Sequence, residues 1–161
     1  MTIADNAGLT SLAGMTSLTQ VDSLAIRNND ALVDLRGLEG LDGVLRVTVE
    51  DNDELRSLHG LNTGAFGGVT FEEIAIGDRL VIRGNGALTS LDGLDSLAVI
   101  SELRIQDNPG LRQLRALARL REVDWILEIS GNTALPSLAG LESLGFAGNL
   151  VVADNPALET L

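Results

Sequence analysis

Seven asparagines recur along this chain at intervals of 23, 23, 33, 23, 24 and 23 residues, and each lies in the same frame of apolar residues. An apolar residue stands five and three positions before each asparagine, and a leucine stands three and six positions after it. Periods of this length are typical of stacked coils, in which each repeat buries its apolar face against its neighbours. The asparagines are Asn6, Asn29, Asn52, Asn85, Asn108, Asn132 and Asn155.

Each repeat contains a short strand that ends near the asparagine. In one repeat Leu103 and Ile105 alternate with Arg104 and Gln106, as the inward and outward residues of a strand do. Strands one coil apart run parallel and stack at roughly 4.8 Å. The sequence therefore predicts a mainly β fold, a right-handed parallel β-solenoid with coils of 23 to 24 residues and little or no α-helix.

Columns of asparagine and glycine are predicted to shape the turns. Asparagine side chains can bond the backbone where a strand ends and can bond the coils above and below, which predicts a structural ladder. Downstream the apolar spacing becomes three, which favours extended pieces and 3₁₀-like turns over a long α-helix. One glycine column, interrupted by Ala116, is predicted to need positive φ or a close backbone approach. Its members are Gly14, Gly37, Gly60, Gly93 and Gly140.

The spacing of Ile100, Leu103, Ile105 and Asn108 is the L-x-x-L-x-L-x-x-N pattern of leucine-rich repeats. The second half of each repeat, as in "NGALTSLDGLDSLAVI", resembles receptor L domains and their bacterial relatives more than helix-backed leucine-rich repeats. This resemblance implies a right-handed β-solenoid and a binding role at the cell surface or in a secreted protein. It brings no catalytic motif to map onto these residues.

Charge and length narrow the classes of partner. The net charge is -12, from 23 acidic and 11 basic residues, which argues against nucleic acid or an anionic membrane. The regular repeat predicts one domain over residues 1–161, with an insertion at about 62–77. No signal peptide or membrane-spanning stretch is visible, so we expect no membrane insertion. We expect a secreted or cell-surface location within a longer protein, or a cytoplasmic one if this is the full chain.

The residues needed for common catalytic and metal sites are scarce. There is no cysteine, and His59 is the single histidine, at a variable position that predicts an exposed side chain. Asp51, Asp53 and Glu54 crowd one turn, which leaves solvated carboxylates and a calcium site as alternatives. The sequence has no D-x-D-x-D-G loop to support the calcium alternative. The sequence thus predicts no enzyme activity, no metal and no cofactor.

Three features are candidates for partner binding. The first is the insertion, whose Phe66 and Phe71 either meet a partner or tuck over a widened coil. The second is Trp125, in a repeat one residue longer than its neighbours, where it either anchors a partner or fills a bulge. The third is the outward face of the strands, where Glu50 falls between Arg27 and Arg83. This face either docks a ligand or carries ion pairs between adjacent strands. The predicted contacts are Arg27, Glu50, Arg83, Arg104, Gln106, Trp125, Phe66 and Phe71.

Two functions follow from these features. The leading hypothesis is a non-catalytic module that presents its sheet, with the insertion and Trp125, to a protein or a surface glycan. Arg104, Arg112, Arg115, Arg119 and Arg121 also concentrate basic charge in one repeat, which could receive an acidic partner. The alternative is a structural protein whose uncapped coils self-associate end to end, because exposed strand edges favour association.

Overall fold

The computed structural model describes residues 1–61 and 78–160 of the chain. Within this part, seven parallel strands form one sheet in chain order, and the chain winds as a β-solenoid of about six turns. The mainly β fold predicted from the repeat is therefore confirmed. The strands are β1 (Thr2–Ala4), β2 (Gln20–Arg27), β3 (Gly43–Glu50), β4 (Arg79–Arg83), β5 (Val99–Gln106), β6 (Glu122–Ser130) and β7 (Phe146–Ala153).

The strands stack in the register that the asparagine frame predicts. Leu24 pairs with Val47, and Val47 with Leu80, so residues five positions before each asparagine form one inward column. The residues three positions before form the next, and both columns are buried in every coil except the first and the last. Leucines from the opposite side of each coil, such as Leu88 and Leu91, complete a single continuous core. Stacked identical layers explain why leucine, isoleucine and valine make up nearly all of it.

The asparagines form a hydrogen-bonded ladder inside the corner. In Asn108 the side-chain Nδ2 donates to the carbonyl of Gln106 in its own coil and to that of Ile82 in the preceding coil, at 2.9 and 3.0 Å. Its Oδ1 accepts the backbone N–H of Asn85 at 3.1 Å. The same bonds repeat from coil to coil, and Asn29, Asn52, Asn85, Asn108 and Asn132 are fully buried. Each asparagine thus satisfies backbone groups that the strand ends leave exposed.

The residue before each asparagine adopts a left-handed conformation, with φ between 52° and 69°. Aspartate, asparagine and glycine occupy this corner column, as expected because these residues tolerate positive φ best. Aspartates never adjoin one another within it, which keeps their charges two coils apart. The order along the solenoid is Asp5, Asn28, Asp51, Gly84, Asp107, Gly131 and Asp154.

The glycine column divides into two kinds of turn. Gly37, Gly60, Gly93 and Gly140 have φ between 103° and 115°, and a Cβ at any of them would lie within 2.4 Å of a backbone oxygen in another coil. The prediction is wrong for Gly14, which lies in open space within a 3₁₀ turn, Ala13–Met15.

In three of the four positive-φ turns, the residue two positions later is an acid that bonds the glycine. Glu39, Asp95 and Glu142 each accept the backbone N–H of the glycine two residues before. Thr16 and Ala118 stand at that position in the two 3₁₀ turns, Ala13–Met15 and Arg115–Leu117.

Candidate functional site

Three columns of outward strand residues, two, four and six positions before each asparagine of the ladder, are together called the sheet face. Two of these columns are the ones predicted from sequence, and the pairing of the strands confirms their membership. The third stands six positions before each asparagine. Alternation could not identify it, because two residues separate the inward positions there and either could point outward. Its members in β2 to β7 are Ser23, Arg46, Arg79, Glu102, Ile126 and Asn149.

Ion pairs cross the strands of the sheet face, and Glu50 pairs with one of the two arginines that flank it in its column. Arg27 Nε lies 3.2 Å from Glu50 Oε2, as the column order suggested. Arg83 turns away from Glu50 and pairs instead with Asp107 of the corner column, 3.2 Å from Nε to Oδ2. Glu50 therefore joins one arginine rather than two. Side-chain direction decides which acid each arginine pairs with, and strand register does not fix that direction.

A longer network occupies the middle of the sheet face. Glu102 Oε1 accepts from Arg79 on the preceding strand, at 3.2 Å, and from Arg104 two residues along its own strand. Arg104 Nη1 also lies 2.6 Å from Glu128 Oε2, and the other oxygen of Glu128 accepts from Gln106 at 2.8 Å. The pKa of Arg104 is raised, chiefly because its guanidinium donates a hydrogen bond to Glu102. Each member thus limits the rotamers of its neighbours.

The arginines of this network lie above the carboxylates that hold them. The side chain of Arg79 is 46% exposed and that of Glu102 only 15%, and Arg27 and Arg104 are likewise more exposed than their glutamate partners. The three columns of the sheet face carry five arginines against three glutamates, a net charge of +2, whereas the whole chain carries -12. The exposed acidic residues Asp22, Glu122 and Asp124 lie nearer the beginning of β2 and β6, outside these columns. A molecule that approaches this face therefore meets guanidinium groups first.

Arg46 is the most available of these arginines. It pairs in register with Arg79 on the next strand, which places two guanidinium-bearing side chains side by side. Arg79 is held by Glu102, whereas Arg46 is exposed and has no ion pair or side-chain hydrogen bond within residues 1–61 and 78–160. These two adjacent cations have one carboxylate partner between them, so the pair is a candidate site for an added carboxylate or similar anion.

Trp125 lies at a bulge between β6 and β7. The strand register shifts between Val123 and Ile126, and a Cβ at Gly148 would meet the carbonyl oxygens of both Asp124 and Trp125. Two residues of β6 therefore oppose one of β7. The Trp125 side chain does not fill this bulge from within, because it is 49% exposed.

Phe146 adds a second exposed ring to the same pair of strands. It begins β7, pairs in register with Glu122 and is 54% exposed. Sequence reasoning missed it, because equivalent positions hold Gln20, Gly43 and Val99 and so give no pattern. These two rings are the aromatic residues of the described part of the chain.

The remaining sequence candidates are dispersed. Phe66 and Phe71 lie outside the described residues. His59 and the turn carboxylates Asp51 and Asp53 are exposed. The predicted basic patch is divided, since Arg104 lies on the sheet face and four arginines follow β5 on the way to β6. Those four are Arg112, Arg115, Arg119 and Arg121.

Comparison of the chain with family models, with curated proteins and with solved structures gave no match. The strands and corners described above therefore establish a parallel β-solenoid, and the likeness to leucine-rich repeats rests on the spacing of the repeat. In the described part of the chain, no helix has the length and apolar character to cross a membrane.

Proposed function

We propose that this chain is a non-catalytic binding module whose sheet face binds an acidic segment of a partner protein. One observation carries the proposal: five arginines point out of the sheet face of an otherwise acidic molecule, and the glutamates that pair with three of them lie deeper in the same face. Opposite charge on the partner would speed encounter and fix its orientation. The resemblance to receptor L domains supports a location on a secreted or cell-surface protein.

The ion-pair network favours this role over simple register-keeping. Exposed ion pairs contribute only about 0 to 1 kcal/mol each to stability, so the fold gains little from five arginines here. Arg104 is held between Glu102 and Glu128, and Arg79 is held by Glu102. Guanidinium groups fixed in this way lose less side-chain entropy when a ligand binds.

The dimensions of the sheet face suit a protein partner. Seven strands at about 4.8 Å spacing span roughly 29 Å, and the strands extend about 20 Å along the chain. The resulting area of about 600 Å² approaches the roughly 800 Å² that each partner buries in a standard interface. Trp125 and Phe146 extend the contact at one edge with apolar surface, and Trp is among the residues that most often anchor protein interfaces.

The first experiment measures binding of a fluorescein-labelled 20-residue poly-glutamate peptide by anisotropy at low and at physiological salt. The double variant Arg46→Ser, Arg79→Ser should weaken binding at least tenfold. The control Arg36→Ser, Arg56→Ser makes the same change in net charge. Both control residues are exposed and lie outside the strands, paired with Asp34 and Glu54, so they should change affinity less than twofold. Equal losses in the two variants would refute a specific site.

A second measurement separates a protein ligand from a glycan. A heparin oligosaccharide presents sulfates and carboxylates of similar charge density, but it lacks a polypeptide backbone and apolar side chains. A glutamate peptide with interspersed leucines should bind more tightly than poly-glutamate, and Trp125→Ser should remove that gain. Tighter binding of heparin than of either peptide would assign the sheet face to a surface glycan instead.

A further inference from the structure

Four arginines that lie outside the sheet face have no carboxylate partner. Of the eleven arginines in the chain, six form ion pairs. Arg46 and four arginines between β5 and β6 are exposed and have no ion pair or side-chain hydrogen bond within residues 1–61 and 78–160. These four, here called the arginine arc, are Arg112, Arg115, Arg119 and Arg121. Unpaired basic charge is therefore concentrated in a single coil of an acidic molecule.

The buried leucines of this coil direct the arginine arc outward. Every third residue here is a fully buried leucine, and arginine directly follows three of the four. The leucines are Leu111, Leu114, Leu117 and Leu120. The chain turns between them at the 3₁₀ turn Arg115–Leu117. Arg112 therefore lies on one side of this turn and Arg119 and Arg121 lie on the other, so the arc follows the outside of the coil.

Small side chains flank the arc where it approaches β6. The N–H of Arg121 donates to the carbonyl of Ala98 in the preceding coil at 2.8 Å. The carbonyl of Arg121 accepts the N–H of Gly145 in the following coil, also at 2.8 Å. Arg119 occupies a position that is serine in both adjacent coils. A ligand can therefore reach these two guanidinium groups past short side chains.

Carboxylates are absent from the coil that carries the arc, because residues 108–121 contain neither aspartate nor glutamate. Ala118 stands where the two adjacent coils have Asp95 and Glu142. Those two acids accept the backbone N–H groups of glycines in their own turns, so each already has a partner within its own coil. The arc therefore keeps a local surplus of four positive charges.

We propose that the arginine arc is a second binding site, which takes a linear anionic polysaccharide with carboxylates or sulfates along its length. A guanidinium group can donate two parallel hydrogen bonds to either of these anions. Clusters of basic residues within a short segment are typical of patches that bind heparin or nucleic acid. The site is separate from the sheet face, where the arginines are mostly held by glutamates of the same face.

The surroundings of the arc favour a sugar chain over a protein segment. Protein interfaces are anchored by large apolar and aromatic side chains. No large apolar side chain is exposed in residues 108–121 or in the equivalent parts of the adjacent coils, residues 85–98 and 132–145. The exposed rings Trp125 and Phe146 lie instead on β6 and β7. A polysaccharide needs no such anchor, because its anionic groups and hydroxyls bond polar side chains directly.

The same surroundings disfavour nucleic acid. A duplex groove of about 12 Å spans more than two coils of about 4.8 Å each, which would bring phosphates over Asp92 and Asp95 of the preceding coil. Single strands are bound by stacking their bases on aromatic side chains, and the arc has no exposed ring. The net charge of -12 adds repulsion at longer range. A single polysaccharide chain is narrow enough to follow one side of one coil.

Calorimetric titration with two probes tests the site. The probes are a heparin hexasaccharide, which carries sulfates and carboxylates, and an oligogalacturonate, which carries carboxylates alone. Arg119→Ser, Arg121→Ser should weaken binding of the tighter probe about tenfold and lower the dependence of affinity on salt. The control Arg46→Ser, Arg79→Ser removes the same charge from the sheet face and should change affinity less than about twofold. Equal losses in the two variants, or a parent chain that binds neither probe at low salt, would overturn the proposal.

A carboxylate placed within the arc gives an independent test. Ala118→Glu introduces the acid that the adjacent coils have at this position, and it should weaken heparin binding severalfold. Thr16→Glu makes the same change in charge at the equivalent position of the other 3₁₀ turn, Ala13–Met15, and should leave the affinity unchanged. Both positions are exposed, and circular dichroism checks that both variants fold. A folded Ala118→Glu variant that binds heparin as tightly as the parent would contradict the site.

Competing ligands decide which class of polyanion the arc binds. The poly-glutamate peptide should bind Arg119→Ser, Arg121→Ser about as tightly as the parent, because the peptide is expected on the sheet face. A loss of peptide affinity equal to the loss of heparin affinity would assign the arc to an acidic protein segment, and tighter binding of poly-uridine than of heparin would assign it to nucleic acid. Either result would overturn the polysaccharide proposal. Heparin binding to the sheet face itself is measured in the Arg119→Ser, Arg121→Ser background.

Discussion

The carboxylate of Glu142 accepts the backbone N–H of Gly140, with 3.0 Å to each oxygen. This bond holds the pKa of Glu142 below its usual range, and the Gly140 N–H is the largest cause. The same acceptor appears in the coils of Gly37 and Gly93, where Glu39 and Asp95 supply it. In these three coils the glycine turn is therefore a local unit of a glycine, a leucine and an acid.

The lowered pKa predicts how acid affects stability. A carboxyl whose pKa is lower in the folded state than in the unfolded chain stabilises the fold above the unfolded pKa, and this contribution is lost as pH falls through the folded pKa. Glu142→Gln should therefore lower the urea midpoint at pH 7, and its difference from the parent should vanish on acidification below the glutamate range. Glu159→Gln is the control, since its carboxylate receives no hydrogen bond within the described residues. A difference that is constant from pH 7 to pH 3 would contradict the role of the charge.

Two glycines of one sequence column should respond in opposite directions to alanine. At Gly93, with φ of 114°, a Cβ would lie 2.4 Å from the Leu58 carbonyl oxygen, so Gly93→Ala should cost at least about 2 kcal/mol of unfolding free energy. Gly14 has open space and no positive φ, so Gly14→Ala should be neutral or stabilise by about 0.4 to 1 kcal/mol. Urea unfolding followed by circular dichroism measures both. Similar losses at the two positions would mean that the two turns are alike.

The asparagine ladder should be strongest in the middle of the solenoid. Asn108→Ala removes the acceptor of the Asn85 N–H and the donor to Ile82, and both backbone groups are left in a buried corner. At about 1 to 3 kcal/mol for each unsatisfied group, a loss of about 3 kcal/mol or more is expected. Asn6→Ala at the exposed end should cost less than about 1 kcal/mol. Chemical denaturation compares the two variants, and equal costs would show that burial does not set the strength of the ladder.

Trp125 should be nearly neutral for stability and sensitive to ligand. Because its side chain is half exposed at a bulge, Trp125→Phe should change the unfolding free energy by less than about 0.5 kcal/mol. It is the only tryptophan, so its emission reports on this site alone. A glutamate peptide with leucines should shift that emission, and Arg46→Ser, Arg79→Ser should remove the shift at the same peptide concentration. An unchanged emission at saturating peptide would place the ligand elsewhere.

The repetitive part of the structure could be predicted residue by residue. The inward columns, the corner asparagines and the positive φ of Gly37, Gly60, Gly93 and Gly140 all follow from position within the repeat. The physical reason is that each coil packs between near-identical coils, so the same local conformation is favoured in every coil. Gly14 departs from its column, and the residue two positions after it is Thr16, where Gly37, Gly93 and Gly140 have a carboxylate that accepts the glycine N–H.

The candidate site depends on side chains that differ from one coil to the next. Arg83 pairs with Asp107 rather than with Glu50. The outward column that contains Arg46 could not be assigned by the alternation of inward and outward residues. Phe146 could not be predicted as an exposed ring, because its column has no preferred residue type. Such side chains are placed by their particular neighbours on adjacent strands.

The sequence by itself determined the solenoid, the height of each coil and the corner at which each strand ends, because burial of a periodic apolar frame has one consistent solution. Only the tertiary structure decided which arginines remain available and which rings are exposed. Those outcomes depend on side-chain directions and on contacts between residues about 23 positions apart, and no local pattern in the chain specifies them.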